Sequence, residues 1–422
     1  MAEQTPDTTA TLRDDPVAAQ YEAFPYPARD PAEEALRLIE GSPSHPVEID
    51  HFVFGGKRDW SQPFRALVAG GGTGDGLVML AQRLADIGCP AEITYLDMSA
   101  AARAVAEARI AARGLSVRFL TGDLRQAPAL AVAEGAFDYI DCCGVLHHLD
   151  DPDSGFAALA EALSPQGGMG LMVYAPYGRT GVYAMQAAFG ALLAGDPPQD
   201  KPEIARQVLA GLPQTNWLGL NTLVGDHVTG GDAGLYDLLL HARDRPYTID
   251  ALDAALTRAG LAMVAPVELG RYQPARYLAS VPEAATRAAA LPPIQQMAVA
   301  EALAGNIKTH VLYAVPAARA PAKPAGPGPE AVPHLRGGAP TAIAQAVQRD
   351  GSLTITLDGL SLRLEVPRPS AAYLAGADGR RTLGQIAARA GRDWLAFAAD
   401  WAPAARELAA FGLLHYSRGA RR

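Results

Sequence analysis

Cysteine is nearly missing from this chain. Its whole supply is Cys89 and the adjacent Cys142 and Cys143, too few for a disulfide framework and without metal-ligand spacing. Such usage fits a reducing, cytoplasmic compartment. Long apolar runs are also missing. No stretch approaches the roughly 20 apolar residues of a membrane span, and "GVYAMQAAFGALLAG" reads as a buried helix or pocket wall. Basic charge is short as well: a net charge of -9 and a pI near 5.5 argue against a broad nucleic-acid surface, which needs clustered Lys and Arg. The start, "MAEQTPDTTATLRDDP", lacks both the basic and the apolar region of a secretory signal. The expected partners are a small molecule, a protein or a peptide, with homodimerisation as an open option, and neither nucleic acid nor membrane.

Hydrophobic residues, at 49%, are plentiful enough to exclude a disordered chain. A length of 422 residues suggests two or three domains. From about residue 64, short β-type runs alternate with helical patterns, the signature of a parallel sheet covered by helices. "FRALVAG", "EITYLD", "VRFL", "FDYIDCC" and "MGLMVYAP" read as five successive strands, the last introduced by a turn at "SPQGG". Ser99 is placed to cap the helix that follows the second strand. After Pro176 the rhythm breaks, so a lid insertion is expected at about 177–248. "AMVAPVEL" and "THVLYAVP" then complete an α/β sheet. A Pro/Ala/Gly-rich stretch at 317–340 reads as a semi-extended linker. The expected division is an N-terminal cap (1–62), a main α/β domain (63–316), this linker, and a small α+β accessory domain (341–422) with a hairpin at Asp358 and Gly359.

The chemistry sits in "ALVAGGGTGDG". A strand, a glycine-rich turn and a helix bring backbone NH groups and the positive end of a helix dipole up to a ligand. Gly70, Gly72 and Gly74 give a GxGxG spacing, not the GxGxxG of dinucleotide sites, and alone this signal is weak. Asp97 ends the second strand, where a carboxylate can take both hydroxyls of a ribose. Asp123 and Leu124 follow the third strand, and "CCGVLHHLDDP" follows the fourth.

These motifs in register resemble the class I S-adenosylmethionine-dependent methyltransferases of bacteria, over about residues 60–316. The resemblance implies a Rossmann-like seven-stranded, mostly parallel sheet with helices on both faces and S-adenosylmethionine as cofactor. It puts Gly70, Gly72 and Gly74 against the methionine part, Asp97 on the ribose, Asp123 and Leu124 at the adenine, and Cys143 near the sulfonium. Many members carry an acid two residues before the first glycine, where this chain has Val68, so the cofactor's amino group needs another anchor.

His147 and His148 are candidates for the base that takes the acceptor's proton, with a backbone brace as the competing role. "QYEAFPYPARDP" resembles a stretch that precedes the fold in a group of bacterial methyltransferases, and offers Tyr21 and Tyr26 as a cap over the acceptor. Tyr177, Arg179 and His227, from the insertion, are further acceptor-side candidates. No metal ligands are expected. "DGRRTLGQI" is similar to peptide-binding winged-helix modules of the PqqD type, which implies a winged-helix-like accessory domain. The expected activity is methyl transfer to an O or N atom of a metabolite or a protein side chain. The alternatives are an NAD-dependent oxidoreductase and a non-catalytic adenosyl-ligand-binding interaction protein.

Overall fold

A computed structural model describes residues 15–320 and 322–418. Residues 1–14 of the acidic start and residues 419–422 of the basic tail lie outside the described residues. Seven strands form one sheet in the order β3-β2-β1-β4-β5-β7-β6: β1 (Phe64–Ala69), β2 (Ala91–Asp97), β3 (Arg118–Thr121), β4 (Phe137–Cys143), β5 (Leu163–Tyr174), β6 (Leu261–Pro266) and β7 (Thr309–Pro316). Neighbours from β3 to β5 pair in parallel, while β7 runs antiparallel to both β5 and β6. The sheet is therefore the mostly parallel α/β layer expected from the alternation.

Burial decides why these runs are strands. Leu67, Leu96, Ile140, Met169, Leu171 and Leu312 enter one core, and Phe64, Val68, Tyr95, Tyr139 and Tyr313 the core on the opposite face, as period-two alternation in a doubly covered sheet requires. The order reverses between β1 and β4. Their carboxyl ends open there onto one crevice, the place where such sheets hold ligands.

"SPQGG" is not a free turn. It is drawn into β5, where Leu163 pairs with Phe137 and, after a register shift, Gly168 with Tyr139. A Cβ on Gly167 would meet the Phe137 carbonyl oxygen at 2.8 Å, so glycine is what permits this close approach.

The segment after Pro176 carries its own structure, chiefly the helices Val182–Leu192 and Lys201–Ala210. Val182, Met185, Phe189, Leu218, Leu235 and Leu239 form a separate small core there, and Phe24 of the amino-terminal segment packs against it. No helix of the described residues is long and apolar enough to cross a membrane.

The carboxyl-terminal unit has two two-stranded sheets. β9 (Ser352–Leu357) and β10 (Leu360–Glu365) form the expected hairpin, with Asp358 at φ 53 and Gly359 at φ 83. The other sheet pairs β11 (Leu414–Arg418) with β8 (Ala331–Leu335), a strand inside the stretch read as linker. Ala331 and Val332 are buried, so this short apolar run is held by packing that the surrounding prolines concealed. A helix at Pro340–Asp350 was also unforeseen, although Pro340 at its first turn and Gly351 in the left-handed region mark both of its ends. Thr382 and Gln385 close a capping box on the helix Leu383–Arg389.

Trp401 anchors this unit. It is 2% exposed and donates its indole NH to the Tyr416 hydroxyl at 3.0 Å. Trp401→Ala should cost about 3–5 kcal/mol of the unit's stability, read as an earlier urea midpoint, and an unmoved midpoint would contradict this placement.

Candidate functional site: a cavity at the switch point of the sheet

A cavity of about 420 Å³ opens at the carboxyl ends of β1 to β4. Gly70, Gly72 and Gly74 line it, all with positive φ (72°, 51° and 96°). Part of their bareness serves packing. A Cβ on Gly70 would collide with the Val145 side chain at 2.3 Å, and one on Gly74 would press on Ala106 at 3.1 Å. Asp97 fastens this loop: its Oδ2 accepts from Gly72 N and its Oδ1 from Ser99 N, each at 2.8 Å. Burial raises the Asp97 carboxyl above its ordinary range, partly offset by those backbone NH groups.

Beneath the loop, buried Arg109 donates to Glu34 (2.6 Å), to the Thr73 carbonyl (2.9 Å) and to Asp75 (2.7 Å). Arg29 grips the same Asp75 with Nε and Nη2. Burial pushes Asp75 upward, but the two guanidinium groups outweigh it and hold the carboxyl low. A charged pair with a guanidinium on each side keeps the turn in one shape.

At the next tips, Asp123, Leu124 and Cys143 also line the cavity. Asp123 is occupied by its own neighbour, however, since Arg125 contacts both carboxylate oxygens. An adenine amino group would have to share that carboxylate. Leu124 offers an apolar face with 5% exposure.

Of the two histidines after β4, only His148 reaches the cavity. Its Nδ1 lies 2.7 Å from the Arg243 carbonyl and must donate, which leaves the Nε2 lone pair free, and Nε2 has no hydrogen-bond partner among the described residues. The brace and the free nitrogen thus coexist on one ring. Burial pushes His148 down to about 4, against smaller upward effects of the Asp244 charge and the Arg243 carbonyl. His147 is fully buried behind it against Tyr174 and is not in the cavity wall. Burial, then the charge of His148, lowers it well below its ordinary value.

The rest of the wall comes chiefly from the amino-terminal segment and the insertion. Tyr21 and Tyr26 line the cavity with Tyr174 and Asp237. His241 Nδ1 accepts from Arg243 N at 3.1 Å, so its Nε2 carries the proton and donates to the Tyr21 oxygen at 3.1 Å. Tyr21 in turn donates to Asp237 Oδ1 at 3.1 Å, and Tyr174 to Oδ2 at 3.0 Å. Burial raises Asp237 to about 6 despite the nearby Arg179 charge and the two hydroxyls. Ligand atoms of His148, Asp237 and His241 lie within 4.8 Å of one another, but the tyrosines and backbone already engage most of them in a proton network.

Three candidates fall elsewhere. Arg179 is drawn under the Tyr174 ring, 3.6 Å from its centroid, by an ion pair with Asp244 at 3.0 Å. Tyr177 is 39% exposed on the surface. His227 sits on the short helix Asp226–Thr229, and neither it nor Tyr177 nor Arg179 lines the cavity. Conversely, Asp141 and Asp237 line it and were not singled out. The available signal was an acid inside an apolar run, in "FDYIDCC" and "GLYDLLLH".

Comparison with known proteins agrees with this architecture. Residues 66–167 match a family model described as "Methyltransferase domain". An uncharacterised protein of a Synechococcus strain is 33% identical over 270 residues, covering 63% of this chain and 62% of that protein. Demethylmenaquinone methyltransferase of Thermus thermophilus is 32% identical over 114 residues, 27% of this chain and 49% of that one. The chain thus spans about half to three fifths of the length of these curated relatives. The structure of PKMT2 from Rickettsia typhi in complex with AdoHcy shares the fold with a TM-score of 0.60 at 15% identity, covering 89% of this chain and 76% of that one.

The sheet has the fold of that AdoHcy-bound protein. Within the chain, residues 66–167 make up a methyltransferase domain, and S-adenosylmethionine is the cofactor that the resemblance implies. The residues present fit that group: glycines leave the turn bare, Asp97 stands at the β2 tip, and the buried Asp141 keeps Oδ1 without a hydrogen-bond partner.

The neutral histidines make the fold sensitive to acid. Burial holds His51 and His148 near 4 and His147, His241 and His415 well below their ordinary value. The unfolded chain, whose histidines titrate near 6.5, binds more protons as pH falls from about 6.5 toward 4, so stability is lost over that window. The carboxyls that burial raises, Asp141 and Asp237 to about 6 and Asp97, Asp253 and Glu268 also upward, act in the opposite sense, but only once pH falls to their own folded values, below where the unfolded histidines begin to protonate. The thermal midpoint should fall by several degrees between pH 7 and pH 5, and a flat profile would mean that these rings are hydrated.

Proposed function

We propose that the chain transfers the methyl group of S-adenosylmethionine to an oxygen or nitrogen of a small metabolite or a protein side chain. The observation that carries this reading is that the Tyr21–Asp237–Tyr174 cluster and the Asp97-fastened glycine loop face one cavity. When bound, the cofactor supplies a methyl group already activated on a sulfonium. The protein's work is then to hold donor and acceptor in line, worth up to about 7–11 kcal/mol, and to receive a proton. In this reading Gly70, Gly72 and Gly74 bear on the methionine part, Asp97 takes the ribose hydroxyls and Leu124 covers the adenine.

Asp237 suits the proton better than His148. A group held near 6 is matched to neutral pH, whereas one near 4 is a weak base. Tyr21 and Tyr174 orient the Asp237 carboxylate, and Tyr21 links it to His241. The oxidoreductase alternative gains no support, because no lysine is among the described residues lining the cavity to form a Tyr–Lys pair.

Labelled methyl groups offered with a cell lysate, resolved by size, should appear in a protein or small-molecule fraction; no incorporation in any fraction would count against the reading. Asp237→Asn should lower turnover by roughly 10²-fold or more with binding of S-adenosylhomocysteine intact. Asp97→Asn should instead weaken that binding by about 1.5–3 kcal/mol, measured by calorimetry, and unchanged affinity would remove Asp97 from the ribose.

A further inference from the structure

Asp141 is 2% exposed, yet it stands in the wall of the cavity among Gly76, Met79, Ser42, Pro43 and Cys143. Its Oδ1 has no hydrogen-bond partner among the described residues. Among the described residues no ion pair reaches it, while the two cations of the same wall are taken: Arg125 by Asp123 and Arg243 by Asp15. An unpaired buried carboxylate is costly unless it is neutralised or meets a cation. We propose that Asp141 receives the α-ammonium group at the methionine end of the cofactor.

Three observations support the placement. Asp141 pairs in register with Val68, the β1 position next to the glycine loop where this chain has no acid. An acid moved from one central strand to its neighbour still points at the same end of the cavity. Cys143, two residues on and so on the same face of β4, also lines the cavity. Finally, Asp141 Oδ2 reaches over the start of the helix Asp75–Asp86: a Cβ on Gly76 would stand 2.6 Å from it. Glycine at 76 therefore gives the carboxylate its position.

Burial raises Asp141 to about 6, with the Ser44 hydroxyl and the Cys143 thiol pulling it partly back. An arriving ammonium would secure the ionised form. The inference rests on the cofactor reading above, and the test separates the two.

Calorimetry at neutral pH should compare S-adenosylhomocysteine, which carries the amino acid end, with 5′-methylthioadenosine, which lacks it. Asp141→Asn should weaken the first by about 10- to 100-fold, as for a lost charged hydrogen bond, and leave the second unchanged. Gly76→Ala, by displacing the carboxylate, should show the same selective loss. Unchanged affinity for both ligands, or equal losses for both, would overturn the assignment. A wild type that binds neither would sink the cofactor reading and this one with it. Should the variants fail to fold, the wild type still decides: desamino-S-adenosylhomocysteine must bind about 10-fold or more weaker than its parent, and equal binding refutes the role of Asp141.

Discussion

Everything at the crevice hangs on the carboxylate of Asp97, because it is engaged before any ligand arrives. One oxygen holds Gly72 N and the other Ser99 N, so the tip of β2, the glycine turn and the cap of the next helix are tied at one point. Arg109 ties the same turn from below through Thr73 and Asp75. A site held by such a supporting layer loses less freedom on binding. The cost is a buried acid, tolerated because backbone NH groups solvate it.

The sheet was legible in the sequence because most of its strands are apolar runs separated by helices, one of them clearly capped by Ser99 ahead of Ala100–Ala112. That one wall of the cavity gathers the strand tips was legible for a related reason: Gly70, Gly72, Gly74, Asp97, Asp123, Leu124 and Cys143 each end or follow a strand, and parallel strands deliver their tips to one edge. The wall built from the amino-terminal segment and the insertion was not. Tyr21 meets Asp237 across 216 residues and His241 across 220, and no local pattern announces such a meeting. β8 hid among prolines because its reason to be a strand, β11, lies at the far end of the chain.

The amino-terminal segment gains its meaning from these distant partners. Phe24 stacks on Tyr236 at 5.1 Å, Arg29 reaches Asp75, and the Pro27 carbonyl accepts from Thr73. Within "QYEAFPYPARDP", Phe24 serves as an aromatic staple while Tyr21 and Tyr26 line the cavity. Glycine spacing behaves alike: Gly70 and Gly74 serve neighbouring side chains as well as the cavity.

The helix Pro46–Phe52 joins one core of the sheet to the carboxyl-terminal unit. On one side Tyr416 N donates to His51 Nδ1 at 3.0 Å, and Arg336 pairs with Glu48. On the other, Ser42 and Pro43 run from the helix start into the cavity wall, with Pro43 seated where a side chain on Gly170 would have been. The carboxyl-terminal unit is therefore moored a single short helix away from the methyl-donor cavity. Cutting the chain ahead of β8 would remove a buttress from that wall along with a domain.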